Sequence, residues 1–325
     1  MCGIQKVRPA GANAEDLNGG VIEATRETHD RWKAALLESS DTRARAVGLL
    51  LQRFESLREG SAVQAEESRD ELVQLAAGGG DPALYAIAVG LCQTNGVSAA
   101  VTTGACERIS LTEWARTDPS NAMPWIAVAQ AARASGDFQA EAAAFTRAAQ
   151  AHSLRSPGES MFQFGLQEVP RDAAPAEKAS LGFELIGHET ASIGPELSEV
   201  GRYCSADAVK QTQIRKDCSA VAELLVGPES TLLYFSLGAK LGERVGWPAE
   251  RVHQLSDEKE ELLRITASKE LVPSSCAAIS RLNTLLDERA RLGELAALRE
   301  LRDQREPSGQ LVSHQPGSPP LQARH

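Results

Sequence analysis

The sequence predicts an all-α protein built from short antiparallel helix pairs that stack into a repeat-like array or a helical bundle. Alanine and leucine supply most of the apolar residues in the 325-residue chain, whereas aromatic residues make up only 4% of it. Alanine and leucine have high helix propensities, and runs of Val, Ile, Thr and Tyr that indicate strands are nearly absent. Apolar residues also recur at helical spacing between capping and turn signals.

Composition and charge exclude several classes of function. The formal net charge is −10, which argues against nucleic-acid binding because that needs a basic face, and equally disfavours an anionic membrane surface. No run approaches the roughly 18 apolar residues of a membrane span. The first residues lack the apolar core of a secretory signal, so we expect a cytosolic protein or a start that is not the natural one.

The N-terminal half is expected to hold a short tail followed by a helical region. Residues 1–20 are rich in Gly, Ala and Asn without periodicity, and we expect them to be disordered. Residues 21–168 form the predicted N-terminal helical region. Helices are expected there over 21–39, 41–60, 64–77 and 82–94, with turns at Gly78-Gly79-Gly80 and Asn95-Gly96, and then through Cys106 and Trp114 up to Asp118.

A Pro- and Ala-containing loop over 169–176 is the expected boundary to a C-terminal helical region at 177–305. Residues 306–325 contain four prolines and are predicted to be a disordered tail. The whole chain is expected to form roughly 14 to 16 short helices. Those after the boundary are predicted over 177–189, 195–225, 229–246, within the charged stretch 248–270, and over 276–305.

Residues 121–153 resemble a single tetratricopeptide repeat unit. The resemblance places Trp125 on the large aromatic position of the first helix, Gly136 on the turn, and Phe138 on the aromatic position after it. Phe145 and Ala148 fall on the inward positions of the second helix, so Trp125 and Phe145 are expected to interlock. Small residues at 129, 132 and 148 allow the two helices to approach closely. Glu141 departs from the pattern, because it stands where Ala is expected.

The resemblance implies a helical array, because one such unit cannot bury its own apolar face. The register fades on the N-terminal side of 121–153 and fails on the C-terminal side. The combined pattern is also similar to a group of uncharacterised bacterial helical proteins, a likeness that implies no activity.

Six cysteines allow two interpretations. Cys92 and Cys106 are 14 residues apart, and so are Cys204 and Cys218, which favours two disulfides and hence the periplasm or cell envelope. The alternative is six unrelated buried thiols in the cytoplasm. If residues 204–218 formed one straight helix, the two sulfurs would lie roughly 20 Å apart and could not bond. Cys2 and Cys276 have no partner at this spacing, so about two free thiols are expected.

No catalytic, cofactor-binding or metal-binding motif is present, so we expect no cofactor. The histidines lack ligand spacing, and His188-Glu189 is interpreted as a surface helix end, with a ligand or base as the alternative. Gly238, Gly242 and Gly246 recur every four residues, which predicts a helix packed closely against this face. Leucines at helical spacing over 276–305 predict either a terminal capping helix or a helix that binds a partner.

The sequence therefore predicts a non-catalytic interaction or scaffold protein that binds a protein or peptide in a groove between helix pairs. Solenoids of helix pairs use concave surfaces in this way. Two alternatives stay open. One is an enzyme, or an enzyme accessory, whose site is assembled from distant residues. The other is a structural protein of the cell envelope.

Overall fold

The computed structural model describes Cys2 and residues 25–92, 104–191 and 196–304. Over these ranges the chain is all-α and contains no strand, apart from an isolated backbone pairing of Asn121 with Ser153. The predicted tails 1–20 (Cys2 excepted) and 306–325, and the Asn95-Gly96 turn, lie outside the described residues. The fifteen α-helices of the described part are α1 (Arg26–Glu38), α2 (Thr42–Arg58), α3 (Ala62–Gly79), α4 (Pro82–Cys92), α5 (Leu111–Thr117), α6 (Ala122–Ala134), α7 (Phe138–Ala149), α8 (Pro157–Gln167), α9 (Pro175–Ala191), α10 (Glu196–Tyr203), α11 (Thr212–Leu225), α12 (Leu232–Val245), α13 (Ala249–Thr266), α14 (Cys276–Leu292) and α15 (Glu294–Asp303).

Capping side chains begin several of these helices. The carboxylate of Asp41 accepts a hydrogen bond from the backbone N–H of Arg43 at 2.8 Å and begins α2. Asn121 and Asp137 do the same for α6 and α7. Such caps satisfy backbone donors that have no partner within the helix. Consecutive helices then pack on each other, most extensively α2 on α3, α6 on α7 and α11 on α12.

Three apolar clusters form the core. The first joins α1–α4 with α8, α9 and α14. The second joins α4–α7 with α10–α12. The third is smaller and lies among α12, α13, α15 and the loop after α13. The first cluster contains helices from both sides of the 169–176 loop, so the two predicted regions share a core there. The division of the chain at this loop stays a prediction.

Three of the predicted helices are each divided into two elements. Cys106 lies in a 3₁₀ turn, Gly104–Arg108, and α5 begins separately after Ser110, whose extended backbone interrupts the helix. The segment predicted as a helix over 195–225 turns between Tyr203 and Thr212. The leucine-rich segment is divided at Gly293, whose φ of +86° lies in the region that favours glycine.

The glycines of α12 allow two different close approaches. A Cβ atom at Gly238 would lie 2.7 Å from Cβ of Leu225, so α11 packs against this position as predicted. A Cβ atom at Gly242 would lie 2.1 Å from the ring of Trp247. The neighbour at Gly242 is therefore the indole that follows the helix, and not another helix. Gly246 is the C-cap of α12.

Candidate functional site

The helix pair α6–α7 has the local geometry of the predicted repeat unit. Gly136 forms the turn with a φ of +80°, and Asp137 accepts a hydrogen bond from the N–H of Ala140 at 2.9 Å. Phe145 and Ala148 are fully buried. Phe138 is 62% exposed, because it lies at the first residue of α7 beside the turn.

Trp125 packs against the apolar cluster that contains Phe145, and each of the two rings has a further partner. The ring of Phe145 stacks on Tyr203 of α10 with 3.9 Å between centroids. Trp125 is half-buried, and the guanidinium of Arg147 lies 4.9 Å from its ring centroid. The aromatic partner of Phe145 therefore comes from a helix that is distant in sequence, which the local pattern could not reveal.

Glu141, the main departure from the repeat pattern, joins the pair to α10. Its carboxylate is buried and accepts a hydrogen bond from Arg202, which also bonds to buried Glu199. Thr146 donates to the carboxylate of Asp217 on α11 at 2.8 Å. Helices α10 and α11 thus cover the face of α7 on which a neighbouring repeat would stack, so that face is not open to a partner.

All six cysteines lie at disulfide distance from a partner. The pairs Cys92–Cys106 and Cys204–Cys218 have Cα–Cα separations of 5.6 and 5.8 Å. The turn between α10 and α11 brings the second pair together, so the separation expected for a straight helix does not apply. The expectation of two free thiols is wrong, because Cys2 pairs with Cys276 across a sequence separation of 274.

An apolar pocket of about 180 Å³ opens between α9, α14 and α15. Its polar lining comes from Thr266, Arg289 and Glu294. The pocket lies at the seam between the first and third apolar clusters, because residues from both contribute to its walls. Apolar side chains form most of these walls: Phe183, Ile186, Leu271, Leu282, Leu285 and Leu298.

Arg289 stands at the polar side of this pocket and holds two carboxylates. Its Nη2 donates to Glu189 Oε2 at 2.7 Å and lies 3.1 Å from Glu294 Oε2. Its guanidinium also lies 5.0 Å from the ring centroid of Phe162 on α8. A third acid, Glu159, lies beside Gly293, since a Cβ atom there would be 3.2 Å from its Oε1. We call Glu159, Glu189, Arg289 and Glu294 the Arg289 cluster.

The ionisation of the Arg289 cluster is perturbed. Burial and the neighbouring charge of Glu189 raise the pKa of Glu159 to about 8, with Glu229 adding to the effect and Arg289 and Arg155 opposing it. Burial also raises the pKa of Glu189 against the opposing charge of Arg289. Glu159 therefore carries a proton at neutral pH. Two carboxylates, those of Glu189 and Glu294, share the guanidinium of Arg289, so the cluster holds more acidic than basic groups.

Sequence patterns do not reveal this site, because its residues are far apart in the chain. His188-Glu189 does lie at a helix end, as predicted, but the expected surface position is wrong for Glu189. Glu189 is 5% exposed and paired with Arg289, and His188 stacks on Phe54 at 4.5 Å. The leucines at helical spacing over 276–305, which we call the leucine stripe, are a sequence signal for this site. Three of them, Leu282, Leu285 and Leu298, line the pocket.

A second polar cluster fastens α1 to α9. The Nε2 atoms of His29 and His188 lie 3.3 and 3.8 Å from Oε1 of Glu184. Although burial opposes it, the contacts of both histidines with the carboxylate lower the pKa of Glu184 to about 2. The hydrogen bond to Glu184 also raises the pKa of His29, with burial opposing it. This cluster is an ion-pair link between two helices.

No protein-family model, curated protein or solved structure matches the chain. Within the described ranges, no helix has the length and apolar character needed to cross a membrane. Among the same residues, no group of three or more His, Cys, Asp or Glu side chains is placed to hold a metal ion. The pocket and the Arg289 cluster are therefore the features from which function is argued.

Proposed function

We propose that this protein is an interaction scaffold that binds a protein or peptide through the pocket between α9, α14 and α15. The supporting observation is an open apolar pocket on a surface that keeps large apolar side chains in contact with solvent. Phe183 in the pocket wall is 44% exposed. Leu263, one turn before the lining residue Thr266, and Val272, next to the lining residue Leu271, are each 47% exposed. Exposed apolar side chains beside a pocket are typical of interaction sites.

The size of the pocket suits one bulky side chain of a partner. A volume of about 180 Å³ is close to the roughly 150 Å³ of an apolar cavity that holds a benzene ring. Burying one such side chain contributes about 1.5–3 kcal/mol, which alone gives weak binding. The partner must therefore also cover the rim around Phe183, and the side chain in the pocket acts as the anchor of that interface.

The helix pair α6–α7 enters this proposal as part of the framework. We propose that it is a tetratricopeptide-like unit, on the strength of its Gly136 turn and its buried Phe145 and Ala148. Its inner face is occupied by α10 and α11, which is why we place the docking site elsewhere.

The three cysteine pairs support an oxidising compartment such as the periplasm or the cell envelope. Disulfides persist there and are rare in the cytoplasm, where thiols are kept reduced. All six cysteines are paired, which leaves no thiol that would favour a reducing compartment. We therefore propose that the scaffold works in the cell envelope.

Site-specific photo-cross-linking tests the proposed docking site. A photoreactive phenylalanine analogue is placed at Phe183, with the exposed Phe138 on α7 as the matched control position. We expect cross-links to a defined partner peptide only from position 183. That peptide, made synthetically, should bind the purified protein, and Phe183→Asp should weaken its binding at least about tenfold. Equal cross-linking from both positions, or unchanged binding in Phe183→Asp, would contradict the proposal.

An enzyme is the second candidate, and one observation favours it. Glu159 has a pKa raised to about 8, which suits a general acid at neutral pH. Glu159 lies against Gly293, however, and not among the side chains that line the pocket. Recovery of a chemically changed ligand from the wild-type protein, and of the unchanged ligand from Glu159→Gln, would favour the enzyme over the scaffold.

A further inference from the structure

We propose, resting on the scaffold function above, that the pocket takes an apolar group carrying a cation. The apolar part fills the pocket, and the ammonium or guanidinium group lies against Glu294 at its polar side. The partner segment would then carry a bulky apolar residue close to a Lys or Arg. The pocket is the binding site in this inference, and the Arg289 cluster selects the charge of its occupant.

The charges around the pocket favour a cation over an anion. The two charged lining residues are Arg289 and Glu294. The guanidinium of Arg289 already faces two carboxylates at 2.7 and 3.1 Å and lies over Phe162. An anionic ligand that bonded to the same Nη2 atom would have to displace one of these carboxylates and leave it without its partner, which is costly where the side chains are largely buried.

A cationic ligand meets no such obstacle. Glu294, a lining residue of the pocket, lies 3.1 Å from Arg289, and its side chain is 20% exposed. A second cation beside Glu294 compensates the excess of carboxyl groups. The residues farther out do not change this excess of acidic groups, because Glu229 and Arg155 add one acid and one base near Glu159. A bound cation at this place gains attraction without breaking an ion pair.

Proton release is a consequence that distinguishes this inference from simple apolar docking. Glu159 keeps its proton because of burial and the charge of Glu189, against the opposing charges of Arg289 and Arg155. A bound cation adds a further favourable charge and draws the pKa of Glu159 down. Binding of a cation should therefore release a proton and tighten as the pH rises, whereas binding of a neutral analogue should not depend on pH in this way.

Three phenyl probes of similar size test the inference. They are 2-phenylethylammonium, the neutral 2-phenylethanol and the anionic 3-phenylpropionate, titrated into the full-length, disulfide-bonded protein and followed by ligand-observed NMR. We expect the ammonium to bind about tenfold more tightly than the alcohol, and the propionate to bind most weakly. Between pH 6.5 and 8.5 the affinity for the ammonium should rise about three- to tenfold while that for the alcohol stays constant.

Variants of α15 show whether Glu294 provides the selectivity. Glu294→Gln should abolish the advantage of the ammonium over the alcohol, and circular dichroism checks that the variant is folded. Glu300→Gln on the same helix is the matched control and should keep the advantage.

The possible outcomes separate this inference from the proposed function. Equal binding of the ammonium and the alcohol would overturn the cation inference and leave the apolar docking site standing. Tightest binding of the propionate would overturn it in favour of recognition by Arg289. Binding of none of the three probes at millimolar concentration would count against both the cation inference and the docking pocket.

Discussion

Replacing Glu159 with glutamine removes the acid whose pKa is most clearly raised while nearly preserving its shape. In the unfolded chain this carboxyl has its ordinary pKa of 4.5, and in the folded protein the pKa is about 8. Between these values the folded state binds a proton that the unfolded state has lost. Each pH unit in this window therefore lowers the free energy of unfolding by up to about 1.4 kcal/mol, and the stability contribution of Glu159 falls as the pH rises.

Over the interval from pH 5.5 to 7.5 the ceiling for one group is about 2.7 kcal/mol. Relaxation around an ionised Glu159 reduces this, so we expect a change of about 1–2.5 kcal/mol. From pH 5.5 to pH 7.5 the free energy of unfolding of Glu159→Gln should rise by that amount relative to that of the wild-type protein.

Urea unfolding followed by circular dichroism at pH 5.5, 6.5 and 7.5, with disulfides intact, measures this difference. Glu66→Gln, at an exposed position on α3, controls for the loss of a carboxyl group as such. A difference between wild type and Glu159→Gln that is the same at all three pH values would refute the reasoning. So would a difference of the opposite sign, since it would mean that the folded protein prefers the ionised carboxylate.

Three further predictions concern packing, the second polar cluster and the cysteines. Gly242→Ala should cost about 1–3 kcal/mol, because its Cβ atom would lie 2.1 Å from the Trp247 ring. Gly187→Ala is the control: its Cβ atom meets no atom within 4 Å, so it should be neutral or slightly stabilising. Equal melting temperatures for the Gly242→Ala and Gly187→Ala variants would contradict this prediction. Glu184→Gln should cost about 1–2 kcal/mol at pH 6 after allowance for solvent screening. This loss of unfolding free energy should become smaller as the pH falls below 4.5, towards the lowered pKa of about 2. Urea unfolding measures it, and a loss that did not depend on pH would contradict the prediction. Thiol titration of unreduced, denatured protein should find no reactive group, and two would contradict the third pair.

The helical framework could be predicted because its signals are local. Asp41, Asn121 and Asp137 begin their helices by bonding to backbone N–H groups two or three residues away. Those positions are visible in the sequence, as is the Gly136 turn. The breaks at Ser110 and Gly293 were missed because the apolar spacing continues across each of them, and periodicity alone does not detect a change in backbone direction.

The pocket and the Arg289 cluster could not be predicted because their contacts are long-range. Glu159 and Glu189 come from the start of α8 and the end of α9, and Arg289 and Glu294 from the adjoining ends of α14 and α15. Each residue is ordinary in its local context, so no spacing rule singles out the group. The Cys2–Cys276 pair has the same cause, since the two cysteines are separated by almost the whole chain.

The leucine stripe belongs to the helical framework, which could be predicted, and it also lines the pocket, which could not. Its division at Gly293 turns α15 back against α14 and α13, so one amphipathic pattern serves two apolar clusters. Leu282 belongs to the first cluster and Leu298 to the third, and the pocket lies where the two clusters meet without closing. A seam between two cores holds apolar surface that neither core covers. That surface costs free energy while it faces water and regains it when a side chain from outside covers it. The capping and the partner-binding interpretations of this segment are therefore compatible, because α14 closes the first cluster with Leu282 and Leu286 and forms a wall of the pocket with Leu285.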